Sequence, residues 1–533
     1  MPHKLVRIFQ SFSKFERFIF GGAILVLVIS GFFWLSNYYL NATVKAPVRG
    51  GHYKEGVVGQ PVTLNPILAG TNDVDRDLIE LLFADLSELA ENIKTSKDNK
   101  TWTITLKDRL EWTDGKPLTT ADVLFTLESF QNPDAQSPSA ATWQGVIAER
   151  LSDKEIRFSL PNPYAFFEDN LRKLKIVPRH IFASIPLSNL RLSSFNLEPV
   201  GSGPYKFVSY QKRKDGFISQ YYLEANNQYA DGAPYIQSFT IKFFNSANEA
   251  LESFNRREIH GLGAIDPKNL EKIKVGYELF SINVPRYYAI FLNQSTEPAL
   301  KKAGIREILD NAIDKSKLIE NVFKNHAMIV NGPIPSIVEG YNPEIYKPKQ
   351  FDAENAKNIL SKTGLKEISA TIPQIQFLID AAELIKTDWE KIGLTFNYQV
   401  ATLQEMNEVI KTRNYQTVIF GNILRGNPDV FSFWHSSERF YPGLNLAIYS
   451  NKKVDNLLET IRKDFNPEGR KTNLSKLQQL IYEDKPAIFL FSPNYIYAVP
   501  RNLGGFNLKL AITPSDRFEK VNEWHLRTAR VFK

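Results

Sequence analysis

Histidine, cysteine and carboxylate residues supply most metal and acid–base chemistry in proteins, but they form no local constellation in this sequence. No two of the seven histidines lie within four residues of each other, so neither a helix turn nor a hairpin pairs them for a metal. These histidines are His3, His52, His180, His260, His326, His435 and His525. Cysteine is absent, which excludes disulfides, thiolate metal sites and thiol nucleophiles. The sequence therefore predicts no metal site and no cofactor.

The glycine and serine motifs of common enzyme classes are also missing. Gly201-Ser202-Gly203 lacks the spacing of the nucleophile elbow of serine hydrolases. Neither the zinc-protease pattern nor a phosphate-binding loop occurs. Scattered Ser, His and Asp side chains could still converge in space, but no pattern indicates that they do. The sequence predicts a protein that is not an enzyme.

The composition is typical of a packed globular protein. Of 533 residues, 43% are hydrophobic and 23% are charged, which suits about three or four domain-sized units. The net charge of +7 is small for this length, and no block of basic residues resembles a nucleic-acid-binding arm. We therefore expect no nucleic-acid partner.

The N-terminal region contains an uncharged segment, 18–40, that is long enough to cross a bilayer as a helix. The basic residues that precede it are Lys4, Arg7, Lys14 and Arg17. The positive-inside rule then predicts a cytoplasmic tail over 1–17, a tether over 41–50 and a body outside the cell membrane, in a single-pass protein. The alternative is a signal peptide that is cleaved after Ala42 or Ala46.

Beyond residue 50, strand and helix signals alternate, which favours an α/β fold. Residues 102–106 alternate polar and apolar side chains, as a half-buried strand does. Asp114-Gly115 predicts a turn, and Thr119 with Asp122 three residues later resembles a capping box at the start of a helix. We find no internal repeat.

Several segments have a more specific pattern when they are taken together and in order. They read GQPVTLNP (59–66), WTITL (102–106), WTDGKPLTTADV (112–123), VGSGPYKF (200–207), REILDNAIDK (306–315) and YSNKKVDNLL (449–458). This succession resembles the family 5 extracellular solute-binding proteins, which are the peptide, nickel and oligosaccharide receptors of ABC importers. The resemblance extends from about residue 50 to 507.

The resemblance implies an α/β, two-lobed periplasmic-binding-protein-like fold of the cluster C type, with an extra subdomain on lobe one and a ligand cleft between the lobes. Hinges are then expected near Val284-Pro285-Arg286 and Asp484-Lys485-Pro486. The implied units are lobe one (48–75, 195–284 and 485–533), the extra subdomain (76–194) and lobe two (285–484).

The loop 421–437 departs from the pattern of the peptide-binding relatives. In those relatives an aspartate immediately before the loop's proline, or a few residues earlier, pairs with the α-amine of the peptide. Here Asn427 precedes Pro428 and Leu424 stands four residues before it, while Arg425 adds a positive charge. Asp429 is the nearest replacement for the missing acid. The departure puts recognition of ordinary peptides in question and favours solutes without a free amine.

The residues that we expect to bind the ligand lie in this loop and beside the first hinge. They are Asn422, Arg425, Asn427, Asp429, Trp434 and Tyr287. For Arg425 the alternative is a solvated charge on the rim of the cleft, and for Trp434 and Tyr287 it is a place in the hydrophobic core.

The predicted function is that of a membrane-anchored, extracytoplasmic substrate-binding protein. It captures a peptide-like or sugar-like solute as a monomer and presents it to the permease of an ABC importer. Two alternatives stay open on the sequence alone. One is an exported sensory or chaperone-like receptor of the same fold without a transporter, and the other is a membrane-tethered hydrolase.

Overall fold

The computed structural model describes residues 11–274, 276–347, 352–424 and 426–533, so Arg425 lies outside the described residues. Helices and strands alternate through most of the body, as expected for an α/β fold. The helices are α1 Lys14–Ala42, α2 Asp73–Leu82, α3 Leu86–Leu89, α4 Thr120–Gln131, α5 Ala140–Trp143, α6 Phe167–Arg172, α7 Arg179–Phe182, α8 Ala247–Asn255, α9 Ala303–Asn311, α10 Lys315–Phe323, α11 Ala353–Ser361, α12 Gln376–Lys391, α13 Leu403–Thr412, α14 Phe431–Trp434, α15 Lys452–Lys463 and α16 Pro467–Asp484. The strands are β1 Thr43–Pro47, β2 His52–Val58, β3 Ala90–Thr95, β4 Thr101–Leu106, β5 Ile147–Arg150, β6 Glu155–Ser159, β7 Tyr205–Lys212, β8 Ile218–Ala225, β9 Ser238–Phe244, β10 Gly261–Leu262, β11 Tyr277–Ile282, β12 Arg286–Leu292, β13 Ala327–Ile329, β14 Glu367–Pro373, β15 Thr395–Ala401, β16 Thr417–Ile423, β17 Ala487–Pro493, β18 Tyr495–Pro500 and β19 Thr528–Phe532.

Local sequence signals account for two elements of the extra subdomain, β4 and α4. The alternation in residues 102–106 is confirmed, because Trp102, Ile104 and Leu106 are buried on one face of β4. The predicted capping box is also confirmed: the Thr119 side chain accepts a hydrogen bond from a first-turn amide, and the Asp122 carboxylate accepts one from the Thr119 backbone amide. Helix α4 therefore begins where its unpaired amides find acceptors.

Three sheets define the architecture of the body. Lobe one is built on a seven-stranded sheet with the order β11-β18-β10-β2-β9-β8-β7. The extra subdomain has a four-stranded antiparallel sheet, β3-β4-β6-β5, whose buried side chains continue into the core of lobe one. Lobe two is built on a six-stranded sheet with the order β13-β17-β12-β16-β14-β15. The two-lobed α/β fold with an extra subdomain on lobe one is thus present.

The chain passes between the two lobe sheets in two short crossings. The first spans residues 283–285, between β11 of lobe one and β12 of lobe two. The sequence predicts the second crossing at Asp484-Lys485-Pro486, but the structure differs. Strand β17 pairs with β12 inside the lobe-two sheet, so the chain returns to lobe one at Asn494. Lobe two therefore extends to residue 493, because the apolar run that follows Pro486 completes its sheet.

Two glycines let the subdomain approach the rest of lobe one closely. A Cβ on Gly201 would lie 1.9 Å from the carbonyl oxygen of Leu82, and one on Gly203 would lie 2.6 Å from the Leu82 carbonyl carbon. The Gly203 amide donates a hydrogen bond to that same Leu82 oxygen. The turn that opens β7 therefore requires glycine for steric reasons.

The segment predicted to cross the membrane is one continuous helix. Helix α1 covers the whole uncharged run, none of it is buried against the body, and its mean hydropathy reaches 2.4. The predicted tether has a different form from a free linker. Residues 43–47 form β1, which pairs in antiparallel register with β19, so the region beyond α1 is a two-stranded ribbon.

A buried guanidinium joins two distant segments of lobe one to helix α2, the first helix of the extra subdomain. Arg517 donates to both carboxylate oxygens of Asp77 on α2, at 2.6 and 2.7 Å, and to Glu55 on β2 at 3.1 Å. All three side chains are at most 3% exposed. The Tyr497 hydroxyl on β18 donates to the second oxygen of Glu55 at 2.9 Å. We call these four residues the Arg517 cluster.

The Arg517 cluster yields the first prediction. Replacing Arg517 with Met keeps the volume but leaves two buried carboxylates without their cation, so the free energy of unfolding should fall by about 3–5 kcal/mol. Urea denaturation measures this difference. The control is Arg213→Met, which breaks an exposed pair with Asp215 and should leave stability nearly unchanged. Equal stability of the two variants would show that the cluster contributes nothing.

Candidate binding site

The floor of the candidate site is formed by two neighbouring strands of lobe two. Tyr287 on β12 and Asn422 on β16 lie directly opposite each other in the sheet, and the Asn422 amide donates to the Tyr287 hydroxyl at 3.0 Å. Tyr287 is fully buried, and burial raises the pKa of its hydroxyl well above the usual value. Trp434 is also fully buried, where it packs on Phe489. Tyr287 and Trp434 therefore belong to the lobe-two core beneath the cleft, and Asn422 reaches the cleft wall.

The loop that follows β16 touches the opposite side of the cleft. Its first residue is held by the first crossing, since the Leu424 amide donates to the Pro285 carbonyl. Asn427 then donates to the carboxylate of Asp169 in the extra subdomain at 2.9 Å. A Cβ on Gly426 would lie 2.6 Å from Ile512 of lobe one. The loop therefore lies at the meeting point of lobe two, lobe one and the subdomain.

The carboxylate of Asp429 is already paired with other side chains of the protein. It accepts hydrogen bonds from Arg462 at 2.9 and 3.1 Å and from the Tyr164 hydroxyl at 2.8 Å. Arg462 also lies over the ring of Phe431, with its guanidinium carbon 4.1 Å from the ring centre. Burial, followed by the negative charge of Asp429, raises the pKa of Tyr164 above its usual value. The negative charge of Asp429 is thus balanced within the protein.

A short segment of the subdomain, Tyr164–Phe166, is inserted into lobe two. The Tyr164 hydroxyl donates a hydrogen bond to the Asp429 carboxylate, and the Ala165 amide donates one to the Arg462 carbonyl at 2.7 Å. Phe166 is 3% exposed and is part of the lobe-two hydrophobic core. Besides the two chain crossings, the lobes are therefore connected through the subdomain. We call Tyr164–Phe166 the bridging segment.

A cavity of about 670 Å³ lies between the bridging segment and the lobe-two loop. Its subdomain and lobe-one walls include Thr71, Ala141, Thr142, Tyr164 and Asn170. Its lobe-two walls include Ile410, Phe420, Gly421, Asn422, Ile423, Asn427, Asp429, Ser432, Phe433, Leu444, Leu446 and Arg462. The volume is in the range of small-molecule sites, and both sides of the cleft contribute polar and apolar groups.

A second cavity of about 330 Å³ shares Thr142 and Asn170 with the first and extends towards lobe one. Its wall carries a buried cluster of charges, in which the Lys175 ammonium lies 3.0 Å from Glu80 and 3.1 Å from Asp85. Burial raises the pKa of Glu80 to about 8, although Lys175 opposes the shift. Lysines and carboxylates of this wall compensate each other, so it presents hydrogen-bonding groups with little net charge.

Polar and apolar side chains are mixed in the walls of the cavity, as in sites that bind small molecules. Within the residues that the structure describes, no group of three or more His, Asp or Glu side chains could hold a metal ion. The sequence interpretation identified Asn422, Asn427 and Asp429, which line the cavity, but missed Tyr164, Arg462 and Asp169. Tyr164 and Asp169 lie more than 250 residues before the loop in the chain, and no local periodicity marks their position.

Comparison with known proteins agrees with this geometry. The sequence model described as bacterial extracellular solute-binding proteins, family 5 Middle, matches residues 87–440, about two thirds of the chain. A two-lobed fold with a cleft between the lobes defines the class of solute-binding proteins. The chain belongs to the bacterial extracellular solute-binding proteins, family 5, and the resemblance noted in the sequence is confirmed.

Three relatives illustrate the similarity. The oligopeptide-binding protein AppA of Bacillus subtilis is 26% identical over 525 residues, which cover 92% of this chain and 94% of AppA. The structure of CtaP, an ABC transporter substrate-binding protein of Listeria monocytogenes, has a TM-score of 0.79 at 25% identity and covers 90% of this chain and 99% of CtaP. The structure of NikZ from Campylobacter jejuni in complex with Ni(L-His) has a TM-score of 0.72 at 23% identity, with coverages of 89% and 99%. The fold is therefore shared along almost the whole body.

The second prediction concerns the charge balance at Asp429. Replacing Asp429 with Asn removes the anion that Arg462 and Tyr164 share, so the free energy of unfolding should fall by about 1.5–3 kcal/mol, as expected for hydrogen bonds to charged groups. Thermal and urea unfolding measure this change. The matched control is Asp215→Asn, which affects an exposed ion pair and should change stability little. Full stability of Asp429→Asn would contradict a structural role for this carboxylate.

Proposed function

We propose that the protein captures a small peptide-like or sugar-like solute in the cleft between the subdomain and lobe two and presents it to the permease of an ABC importer. The observation that carries the proposal is the cavity of about 670 Å³, whose walls come from both sides of the cleft. A solute that touches both walls stabilises their approach more than it stabilises a separated arrangement. The name of one relative supports a peptide-like solute, since AppA is an oligopeptide-binding protein.

The chemistry of the cavity walls supports a solute that is neutral where it meets the loop 421–437. Asn422 and Asn427 offer amide donors and acceptors but no charge. Asp429 and Arg462 compensate each other. We assign direct ligand contact to Asn422 and Asn427 and a supporting role to Asp429. Arg425 stays a predicted contact that would favour an anionic or strongly hydrogen-bonding group.

Tyr287 and Trp434 are assigned to the support of the cleft. Both are fully buried, and Tyr287 holds the Asn422 side chain through its hydroxyl. A change at either position would act on the solute through the orientation of Asn422. In this proposal no residue performs a chemical step, and the protein binds and releases its solute unchanged.

The N-terminal helix supports a location of the protein at the membrane. We propose that α1 is retained as a single-pass anchor with residues 1–17 in the cytoplasm, and that the body works outside the membrane as a monomer. The uncharged run is long enough to span a bilayer, and the basic residues that precede it favour this orientation.

The third prediction concerns recognition of an amine. Binding of Ala-Ala with a free N-terminus should be at least about tenfold weaker than binding of N-acetyl-Ala-Ala, because the loop offers an ammonium no free carboxylate. Isothermal calorimetry on the full chain measures both affinities, and small-angle scattering should show a smaller radius of gyration with the tighter ligand. Asn427→Asp restores an acid before Pro428, so this variant should reverse the preference.

One outcome would contradict this specificity directly. Tight binding of the free dipeptide by the unchanged protein, abolished by Asp429→Ala but not by Asn427→Ala, would show that Asp429 holds the amine. Absence of any change in the radius of gyration with a tight ligand would contradict closure of the cleft.

The fourth prediction concerns the anchor. The mature protein should remain in the membrane fraction after washing with high salt, and its N-terminal sequence should begin before α1. A hydrophobic helix resists salt because its attachment does not depend on charge. Cell fractionation with N-terminal sequencing decides the question. A soluble mature chain that begins just after Ala42 or Ala46 would show that α1 is a cleaved signal.

A further inference from the structure

The apolar helix and the body are joined by a structured connection. Helix α1 ends at Ala42 and β1 begins at the next residue, so no free linker separates them. Strand β1 pairs with β19 over five residues, from Thr43 opposite Phe532 to Pro47 opposite Thr528. We call this pair of strands the exit ribbon. Because it starts where the helix ends, its first residues lie within a few ångströms of that end.

Side chains of β19 fasten the ribbon to the helix. One guanidinium nitrogen of Arg530 donates to the carbonyl of Leu40 at 3.2 Å and to the hydroxyl of Thr43 at 3.0 Å. The ring of Phe532 meets the ring of Tyr39 edge to face, with centroids 6.3 Å apart. The last turn of the helix and the ribbon therefore form one unit, and the ribbon follows the position of the helix.

The exit ribbon and the residues next to it are basic. Segments 43–51 and 527–533 contain no acidic residue. Their cations are Lys45, Arg49, Arg527, Arg530 and Lys533. Lys45 and Arg530 are direct cross-strand neighbours, which is unfavourable for like charges. Within the described ranges, no carboxylate side chain forms an ion pair with any of the five. No acidic side chain of the described residues therefore balances these five cations.

The other face of the ribbon is apolar and exposed. Val44 lies opposite Val531 and Ala46 lies opposite Ala529, with the two valines 43% and 44% exposed. Phe532, at the end of the ribbon beside the helix, is 71% exposed. A small element with basic groups on one face, apolar groups on the other and an aromatic ring at its junction has the character of a membrane-interface segment.

We propose that the exit ribbon lies in the headgroup region of the bilayer and binds anionic phospholipid through Lys45, Arg530 and the neighbouring arginines. The inference rests on the proposed anchor, because α1 then brings the ribbon to the membrane surface. Lys45 is three residues past the helix, so an extended chain places it within about 10 Å of the helix end. Phosphate oxygens there supply the anion that the basic face lacks.

The test uses a single fluorescent label on the ribbon of the full chain. The protein has no cysteine, so Ala529→Cys provides a unique attachment site at an exposed position. The labelled chain is reconstituted in phosphatidylcholine vesicles and in vesicles in which a third of the lipid is phosphatidylglycerol. Both contain a trace of lipid with a nitroxide on its headgroup, which quenches the label when it is close. Lys366→Cys on lobe two carries the label in the control protein.

We expect more quenching at position 529 in the anionic vesicles than in the neutral ones, and no such difference at position 366. The excess should disappear in about 1 M salt, where the screening length falls to about 3 Å. Lys45→Gln and Arg527→Gln should each weaken the apparent affinity for phosphatidylglycerol roughly fivefold. Neither side chain makes a hydrogen bond or ion pair within the part of the chain that the structure describes, so both variants should fold. Lys366→Gln is the matched control and should have no effect.

Three outcomes would overturn the proposal. Equal, salt-independent quenching in both kinds of vesicle would show that the ribbon does not recognise anionic lipid. Quenching that changes only when the membrane subunits of the importer are added would assign the ribbon to a protein partner. Failure of the chain to float with vesicles would refute the anchor and this inference with it. Solute binding, measured by calorimetry on the same samples, reports separately on the proposed function.

Discussion

The requirement to neutralise one buried cation holds lobe one and the first helix of its subdomain together. Arg517 lies in the last part of the body, whereas its partners Glu55 and Asp77 lie near its start, about 440 to 460 residues earlier. A guanidinium that has no contact with water is stable only when a carboxylate balances its charge and each of its N–H groups finds an acceptor. The three segments must therefore meet in one arrangement. The sheet from which both crossings to lobe two depart includes β2 and β18, and both carry members of the Arg517 cluster. The cluster therefore fixes two strands of the sheet to which lobe two is attached.

Electrostatic balance inside the protein also determines what the cleft offers to a solute. On the lobe-two side Asp429 is satisfied by Arg462 and Tyr164, and on the lobe-one side Lys175 is satisfied by Glu80 and Asp85. These ion pairs form part of the walls, but their opposite charges largely neutralise each other. Amide and hydroxyl groups and aromatic rings are left to discriminate among solutes. Selection in such a site depends on hydrogen-bond geometry and shape more than on net charge.

Local sequence signals predicted the elements well and their long-range partners poorly. The capping box at Thr119 and the alternation around Trp102 are encoded within a few residues, so they could be identified without any tertiary information. The ordered succession of motifs was enough to predict the family and its two-lobed fold. The second crossing was predicted one strand too early, because an apolar run does not indicate which sheet it completes. The partners of Asp429 and the pairing of β1 with β19 join segments hundreds of residues apart, and no periodicity reveals such contacts.

The bridging segment has a consequence for the receptor when it carries no solute. Any motion that withdraws the subdomain from lobe two exposes the ring of Phe166, which costs about 1.5–3 kcal/mol for a side chain of this size. This cost opposes opening with and without a solute alike, so by itself it makes the separated arrangement roughly 10- to 100-fold rarer than it would be without the ring. A solute then has to supply only the remaining part of the free energy that draws the walls together. Its rate of escape is governed in part by an aromatic ring that it never touches.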